Sequence, residues 1–451
     1  MRINENKKNL SFYFLGIGGI SMSALAQLLL KNGYMVSGYD DFDGEQTSFL
    51  RKIGIEVHAF DKKEFAKDYI THTNIVVYTD AIKPNHDLYL HALKTGKTLC
   101  SRSELLGGII KKYPHSIGVS GSHGKTTCTA MSAHVLKAVD VPFCAHIGGV
   151  DVELGNLYST GNEYFLTEAC EYKKNFLRFD CESAVVLNID ADHMECYQNT
   201  DNLIDSFREF CRKSKNVFIC ADDKNALLLG DFPRFGIENQ FADYRAVHLK
   251  STSEKYHFTI QEYGKDLCRV RLNTRGRCNV YNALATFSVM RSYGFNEREI
   301  VRGLEDFTAV KRRFEEIGTV KGVSFICDYA HHPKEILSTV KTAQNVCEGS
   351  LYVIFQPHTY SRTKTLMAEF VDALRKIENL AIYKTYPARE YYDETGSAKT
   401  LADNVGGCLY FERIQEVKSW IKRTIKAGDM LLFLGAGDVY FIAGRIFDEM
   451  K

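Results

Sequence analysis

The segment Gly121-Ser122-His123-Gly124-Lys125-Thr126-Thr127 combines glycines, a lysine and a pair of threonine hydroxyls in one short stretch. It follows the apolar run Ser116–Ser120 and precedes a helical period through Met131, Val135 and Leu136. A strand, a glycine turn and a helix in that order form an anion site. The glycines let backbone N–H groups approach phosphate oxygens, and the helix N-terminus adds partial positive charge. Lys125 is then expected to reach the β- and γ-phosphates, and Thr126 to offer its hydroxyl to Mg²⁺. The strict phosphate-loop pattern is not met, because Val119 stands at its first glycine position. The expectation of a bound triphosphate therefore rests on Gly-Lys-Thr-Thr and its strand–helix setting. The alternative is a glycine turn with an exposed lysine.

A second glycine loop, Gly16-Ile17-Gly18-Gly19-Ile20-Ser21, approximates a dinucleotide fingerprint, with Ser21 where the third glycine belongs. Asp40 closes the following strand, near where a ribose-binding acid belongs. Such a loop suits any diphosphate-bearing nucleotide, NAD or a UDP-sugar alike, or it is a tight turn that binds nothing. Glu168 is expected just beyond the strand Tyr164–Leu166, and Asp190, Asp192 and His193 just beyond a strand ending at Ile189. Ligands of open α/β sheets gather at such strand ends, where carboxylates and an imidazole can hold Mg²⁺ against phosphate oxygens, or serve as solvated loop residues and caps. Asp328-Tyr329-Ala330-His331-His332-Pro333 and Gln356-Pro357-His358-Thr359-Tyr360-Ser361-Arg362-Thr363 follow two later strands. Adjacent histidines without a third ligand at motif spacing fit a structural or substrate-facing role better than zinc. Arg362 suits a carboxylate through its bidentate fork.

The elements that must position these groups alternate along the chain. Ser11–Ile17, a helix through Met22, Leu25 and Leu28, and Tyr34–Tyr39 make a βαβ unit. Ile75–Tyr78 and Thr98–Cys100 extend the same sheet, and Ser116 opens a new block. Strands are expected at Val217–Cys220 and Leu267–Leu272, and a helix carries Tyr281, Leu284 and Val289. A third block holds Val323–Cys327, Leu351–Phe355, Leu380–Tyr383 and Met430–Leu434. Three consecutive α/β blocks follow, and 451 residues exceed what one core supports. A net charge of +1 gives no global sign of nucleic acid or an anionic membrane as partner. The 13 cysteines are scattered without a C-x-x-C pair, which reads as buried thiols in a reducing compartment. No run reaches the ~20 apolar residues of a membrane span. Met1–Leu10 is polar and lysine-bearing, without a signal peptide's apolar core. A cytoplasmic location is expected.

Taken together, these segments resemble the Mur ligase family. The matching stretches run in the family's order: Gly16–Gly19 with Met22-Ser23; Gly121–Thr127; Asn188-Ile189-Asp190-Ala191-Asp192-His193-Met194; Gly276-Arg277 with Asn279 and Asn282; Lys311-Arg312-Arg313-Phe314; Asp328–Pro333; Gln356–Thr363; and Gly435-Ala436-Gly437. The resemblance implies a Rossmann-like N-terminal domain over 1–112, a P-loop-type central ATPase over 113–315 and a Rossmann-like C-terminal domain over 316–451. It implies an ADP-forming ligase that joins L-alanine to the carboxylate of UDP-N-acetylmuramate through an acyl phosphate, in the synthesis of peptidoglycan precursors. ATP and Mg²⁺ are its implied cofactors, and a monomer or weak homodimer its expected state. By carry-over, Gly16, Gly18, Gly19, Ser23 and Asp40 hold the UDP-sugar. Gly121, Ser122, His123, Gly124, Lys125, Thr126 and Thr127 hold ATP, with Asn279, Asn282, Arg313 and Asp328. Lys125, Glu168 and His193 are the implied catalytic groups, and Thr126, Glu168 and His193 the implied magnesium ligands. His358, Tyr360 and Arg362 lie where the alanine-adding branch shapes its amino-acid end.

This chemistry explains why no Ser-His-Asp or Cys-His constellation is found, since activating a carboxylate with ATP asks for neutralisation and alignment of two anions. The chain departs from the family in several places. Ser122 replaces a threonine, Cys278 a histidine, Cys327 an aspartate, and Glu168-Ala169-Cys170-Glu171-Tyr172 a more acidic run, so that only Glu168 is carried over from it. The modified lysine of later-acting relatives has no counterpart in Asp205-Ser206-Phe207-Arg208, in keeping with alanine addition. The competing readings are a murein-tripeptide recycling ligase on the same scaffold, a nicotinamide-dependent oxidoreductase built on the Gly16 loop, and a nucleotide-binding regulator without activity. The oxidoreductase leaves Gly-Lys-Thr-Thr unexplained.

Overall fold

The structure, a computed structural model, describes residues 10–252, 255–388 and 390–451. The polar start read over Met1–Leu10 thus lies, up to residue 9, outside the described residues. The chain forms two compact units: one holds the chain up to Leu249 with Phe258–Val270 and Tyr281–Phe307, the other holds Lys250–His257, Arg271–Val280 and Thr308–Lys451.

Three sheets, each flanked by helices, carry the chain. In the first, the strand order is Glu56–His58, Met35–Tyr39, Ser11–Leu15, Ile75–Tyr78 and Thr98–Ser101, and every pair is parallel. Phe12–Leu15 is an unbroken aromatic and aliphatic run because both its faces are covered. Phe12 and Phe14 enter one core cluster and Tyr13 and Leu15 the other. The Phe12–Phe14 cluster continues through Phe165 of the next sheet and through Phe176 and Phe207 of the segments that flank it. That shared core joins the first two sheets into one unit.

The second sheet has ten strands, with His115–Ser120 between Tyr164–Glu168 and Ser183–Val186, parallel to both. The third runs Glu315–Val320, Val323–Asp328, Met430–Leu434, Leu351–Phe355, Asn379–Tyr383 and Leu409–Phe411. Its first pair is antiparallel and the rest parallel. Alternation along Val323–Asp328 sends Cys327 into an apolar cluster with Phe325 and Phe433.

Strand ends differ from the periodicity at functional positions. Glu168 and Asp328, expected just past their strands, are the last strand residues, and the strand expected to run to Ile189 stops at Val186. All thirteen cysteines are free. Among the described residues no helix is long and apolar enough to cross a membrane.

Candidate active site

In the first unit, the parallel strands Tyr164–Glu168, His115–Ser120 and Ser183–Val186 end side by side. The glycine loop leaves the middle one. Gly121 at φ 137° and Gly124 at φ 86° turn the chain into the helix Lys125–Val139, with backbone angles that only glycine takes at low cost. A side chain at Gly124 would stand 2.7 Å from the Asn282 Oδ1 atom, so Asn282 borders the loop. The loop is fixed to the next strand end. Ser122 N donates to Asn188 O at 3.1 Å, His123 N to Asn188 Oδ1 at 2.8 Å, and Asp190 N to Ser122 Oγ at 2.8 Å. The His123 imidazole lies 3.0 Å from Asp190 Oδ2. The Asn188–Asp190 segment thus holds the loop's shape.

Lys125 turns back over this loop. Its ammonium donates to Gly121 O, to Ser122 O at 3.1 Å, and to both oxygens of Glu171 at 3.2 and 3.1 Å. The Glu171 side chain is 1% exposed. Burial by itself lowers the Lys125 pKa, but the Glu171 charge, helped by Cys170 and Glu168, outweighs it and raises the value above that of an ordinary lysine. Glu171 was not singled out from sequence. The only signal was its place three residues after Glu168, and nothing in the order of residues pairs it with a lysine 46 positions away.

Glu168 has a different partner, accepting from Gly148 N at 2.8 Å. A Cβ on Gly148 would lie 2.2 Å from Glu168 Oε1 and 2.4 Å from Oε2. Gly148 therefore lets the carboxylate sit against the backbone. His193 caps the short helix Met194–Tyr197, packs on Tyr172 with ring centroids 4.9 Å apart, and receives the Asp192 carboxylate at its own backbone N–H, 2.8 Å away. Among the described residues no group of three His, Cys, Asp or Glu side chains could hold a metal alone. A nucleotide-borne Mg²⁺ asks for only one or two protein oxygens beside phosphate and water, and the donor set of Glu168 and Thr126 is of that kind.

The Gly16 loop sits where the first sheet's strand order reverses, with Ser11–Leu15 between Met35–Tyr39 and Ile75–Tyr78. Such switch points are where open α/β sheets take ligands. Gly16 has φ 81°. Gly18 N donates to Asp40 Oδ2 at 2.8 Å, so Asp40 braces the loop. Ser23, expected to face the UDP-sugar, has no exposed surface. Its hydroxyl donates to Ile20 O at 3.0 Å and accepts from Asn156 Nδ2 at 2.8 Å, so it locks the helix beneath the loop and does not face a ligand. His146, unread from sequence, ties this helix to the second sheet, with Nε2 2.9 Å from Ser21 Oγ and Nδ1 3.0 Å from Thr167 Oγ1. Burial, then the nearby Arg102 charge, lowers its pKa to about 4.

The second unit gathers its own strand ends. Gly435 N donates to Asp328 O at 3.0 Å and Gln356 N to Leu434 O at 2.8 Å. Asp328 accepts from Phe314 N at 2.7 Å and Ala330 N at 2.8 Å. Burial raises its pKa, against the pull of the Arg313 charge. Arg313 lies over the Tyr329 ring at 5.0 Å. Asn279 donates to Arg275 O at 2.7 Å. His358 stacks on Tyr386 at 5.5 Å, and Arg362 donates to His358 O at 3.1 Å. Burial, followed by His331 and Arg362, lowers the His358 pKa to about 4. Tyr360 meets Tyr392 edge-on at 5.5 Å.

A phosphate-type loop with an anchored lysine, a Rossmann-ordered sheet before it and a third α/β sheet after it define an architecture of known lineage. Three family models match the chain: "Mur ligase family, catalytic domain" over 11–114, "Mur ligase middle domain" over 119–290, and "Mur ligase, glutamate ligase domain" over 312–437. The chain belongs to the Mur ligase family. Within it, the chain is 36% identical over 455 residues to the UDP-N-acetylmuramate--L-alanine ligase of Acetivibrio thermocellus, covering 97% of this chain and 96% of that protein. The crystal structure of the UDP-N-acetylmuramate-alanine ligase of Thermotoga maritima superposes with a TM-score of 0.84 at 28% identity, over 98% of this chain and 99% of that one. A murein peptide ligase from Psychrobacter arcticus shares the fold, with a TM-score of 0.76 at 21% identity over 98% of each chain.

Proposed function

We propose that the chain is an ADP-forming ligase that joins L-alanine to the carboxylate of UDP-N-acetylmuramate, using ATP and Mg²⁺, in peptidoglycan precursor synthesis. The full-length likeness to L-alanine ligases supports the substrates. The structural observation that carries the nucleotide chemistry is Lys125, held over the glycine loop between the ends of two parallel strands.

A carboxylate acylates poorly until its oxygen becomes a leaving group. Transfer of the γ-phosphoryl group to that oxygen gives an acyl phosphate, and the amine of L-alanine then attacks its carbonyl carbon. Collapse of the tetrahedral adduct expels phosphate and leaves the amide, with the amine proton passing to solvent. The first step brings two anions together, so the protein's part is to neutralise and align them. Lys125 and the N–H groups of Gly121–Thr127 offset phosphate charge. Glu168 and Thr126, with His193 by resemblance, hold Mg²⁺, which supplies further charge neutralisation when bound. Asn282, Asn279, Arg313 and Asp328 serve the nucleotide. Gly16, Gly18 and Gly19 take the UDP diphosphate, with Asp40 and Ser23 bracing their loop. His358, Tyr360 and Arg362 shape the L-alanine end.

We further propose domain boundaries of 1–112, 113–315 and 316–451, a cytoplasmic location in keeping with thirteen free thiols, and a monomer or weak homodimer. The test is phosphate release from ATP with UDP-N-acetylmuramate and, in turn, L-alanine, L-serine, glycine and the L-alanyl tripeptide, with Lys125→Ala as control. Release with L-alanine that is lost in the control is expected. Release with the tripeptide alone would make this a recycling ligase, and release with none would overturn the reading.

A further inference from the structure

Two glutamates leave the same strand end, and the fold gives them unlike partners. Glu168 rests on the Gly148 backbone, whereas Glu171 sits inside the protein with both oxygens on Lys125. The chain around Glu171 is pinned. Phe176 N donates to Cys170 O at 3.1 Å, Lys174 N to Glu171 O at 2.8 Å, and the Tyr197 hydroxyl also donates to Glu171 O. The backbone that carries the Glu171 side chain is therefore held in place by three hydrogen bonds. With 1% exposure on Glu171 and 14% on Lys125, neither charge is well solvated, and each depends on the other.

We propose that Glu171 is a positioning residue: it holds the Lys125 ammonium in the nucleotide-free protein, and the nucleotide's phosphates must compete with it for that ammonium. The inference rests on the nucleotide reading of the glycine loop. A buried carboxylate beside the lysine stabilises the empty loop and repels an arriving polyanion. Neutralising it strips the empty state of its ion pair, whereas in the bound state phosphate replaces what was lost. Affinity for nucleotide then rises as stability without nucleotide falls. A residue with a merely structural role gives the other pattern, in which stability and affinity fall together.

The experiment is titration of the full-length protein with ADP in the presence of Mg²⁺, by calorimetry, for wild type, Glu171→Gln and Glu171→Asp. Thermal unfolding is followed with and without ADP. Glu171→Gln should bind ADP about tenfold more tightly, the order expected for loss of one partly desolvated charge pair. It should melt lower than wild type without ADP and gain more from ADP. In turnover its KM for ATP should fall. Glu171→Asp, whose shorter stem weakens the pair without stranding the lysine, should move the same way by about threefold, and it decides the matter if Glu171→Gln does not fold. ADP affinity that is unchanged or weaker in the folded variants would overturn the inference. A wild-type protein that binds ADP without forming the amide would overturn the ligase reading alone. A ligating protein whose ADP affinity ignores Glu171 would overturn this inference alone.

Discussion

Gly148→Ala isolates the position of one carboxylate from the stability of the fold. Gly148 is exposed at its strand, and the three heavy atoms nearest an added methyl all belong to Glu168, with Oε1 at 2.2 Å and Oε2 at 2.4 Å. Ordinary contact begins near 3.4 Å, so the carboxylate must retreat by about 1.2 Å, and it can, because it is the free end of a flexible side chain. Stability should change by less than about 1 kcal/mol, as at surface sites generally. A displacement of about 1 Å in a group that aligns reacting anions costs on the order of 100-fold in rate, or about 2.7 kcal/mol of barrier. The assay is kcat/KM from phosphate release at several Mg²⁺ concentrations, beside thermal melting. The expected result is an unchanged melt, a roughly 100-fold loss, and partial recovery at high Mg²⁺. Because both changes act on one carboxylate, adding Gly148→Ala to Glu168→Gln should cost little more than Glu168→Gln alone. Wild-type kcat/KM in a folded Gly148→Ala protein would refute the assignment of Glu168 to the site.

The same substitution at Gly303 should act oppositely: its methyl would meet the Val135 Cα at 2.4 Å and N at 2.8 Å, where backbone cannot yield. Overpacking there should cost about 3 kcal/mol in urea unfolding while the folded fraction keeps its KM values. Lys125→Ala should lower kcat/KM by about 1,000-fold, as loss of a buried charge-stabilising donor does, with phosphate release as readout. His146 has its pKa lowered from 6.5 to about 4, so the fold favours neutral imidazole and the unfolded chain binds the extra proton between those values. Its contribution to stability is complete above pH 6.5 and is lost as pH falls toward 4, at up to about 1.4 kcal/mol per pH unit. Urea midpoints between pH 7 and pH 4 should therefore fall less steeply in His146→Gln than in wild type.

The parts of this fold legible in sequence were those where local physics and tertiary structure agree. Ile75–Tyr78, Leu351–Phe355 and Met430–Leu434 were read at their observed bounds, because a strand covered on both faces is an unbroken apolar run. Phe143–Asp151, Gly155–Ser159 and Tyr256–Glu262, of which Gly155–Ser159 is a sheet edge, are not legible in sequence, because their runs mix polar, glycine and apolar residues and their pairing is set by neighbouring strands. The same division runs through the site. Gly121–Thr127 was legible because a loop that wraps an anion must be built from adjacent residues. His146, Gly148 and Glu171 were not, because their partners lie in other elements: Ser21 and Thr167 for His146, Glu168 for Gly148 and Lys125 for Glu171. Glu168 and Glu171 make the point most sharply. They are three residues apart and of one residue type, and although the sequence singles out Glu168, it does not show what either carboxylate meets. Backbone direction separates them, since Tyr164–Glu168 is still a strand at Glu168 and aims it at Gly148, whereas the turn that follows folds Glu171 inward to Lys125. A carboxylate whose partner is a backbone N–H is free to take a second ligand on its other oxygen, and one with both oxygens on a buried ammonium is not. The proposed metal-holding role therefore suits Glu168, and the proposed control of the lysine suits Glu171.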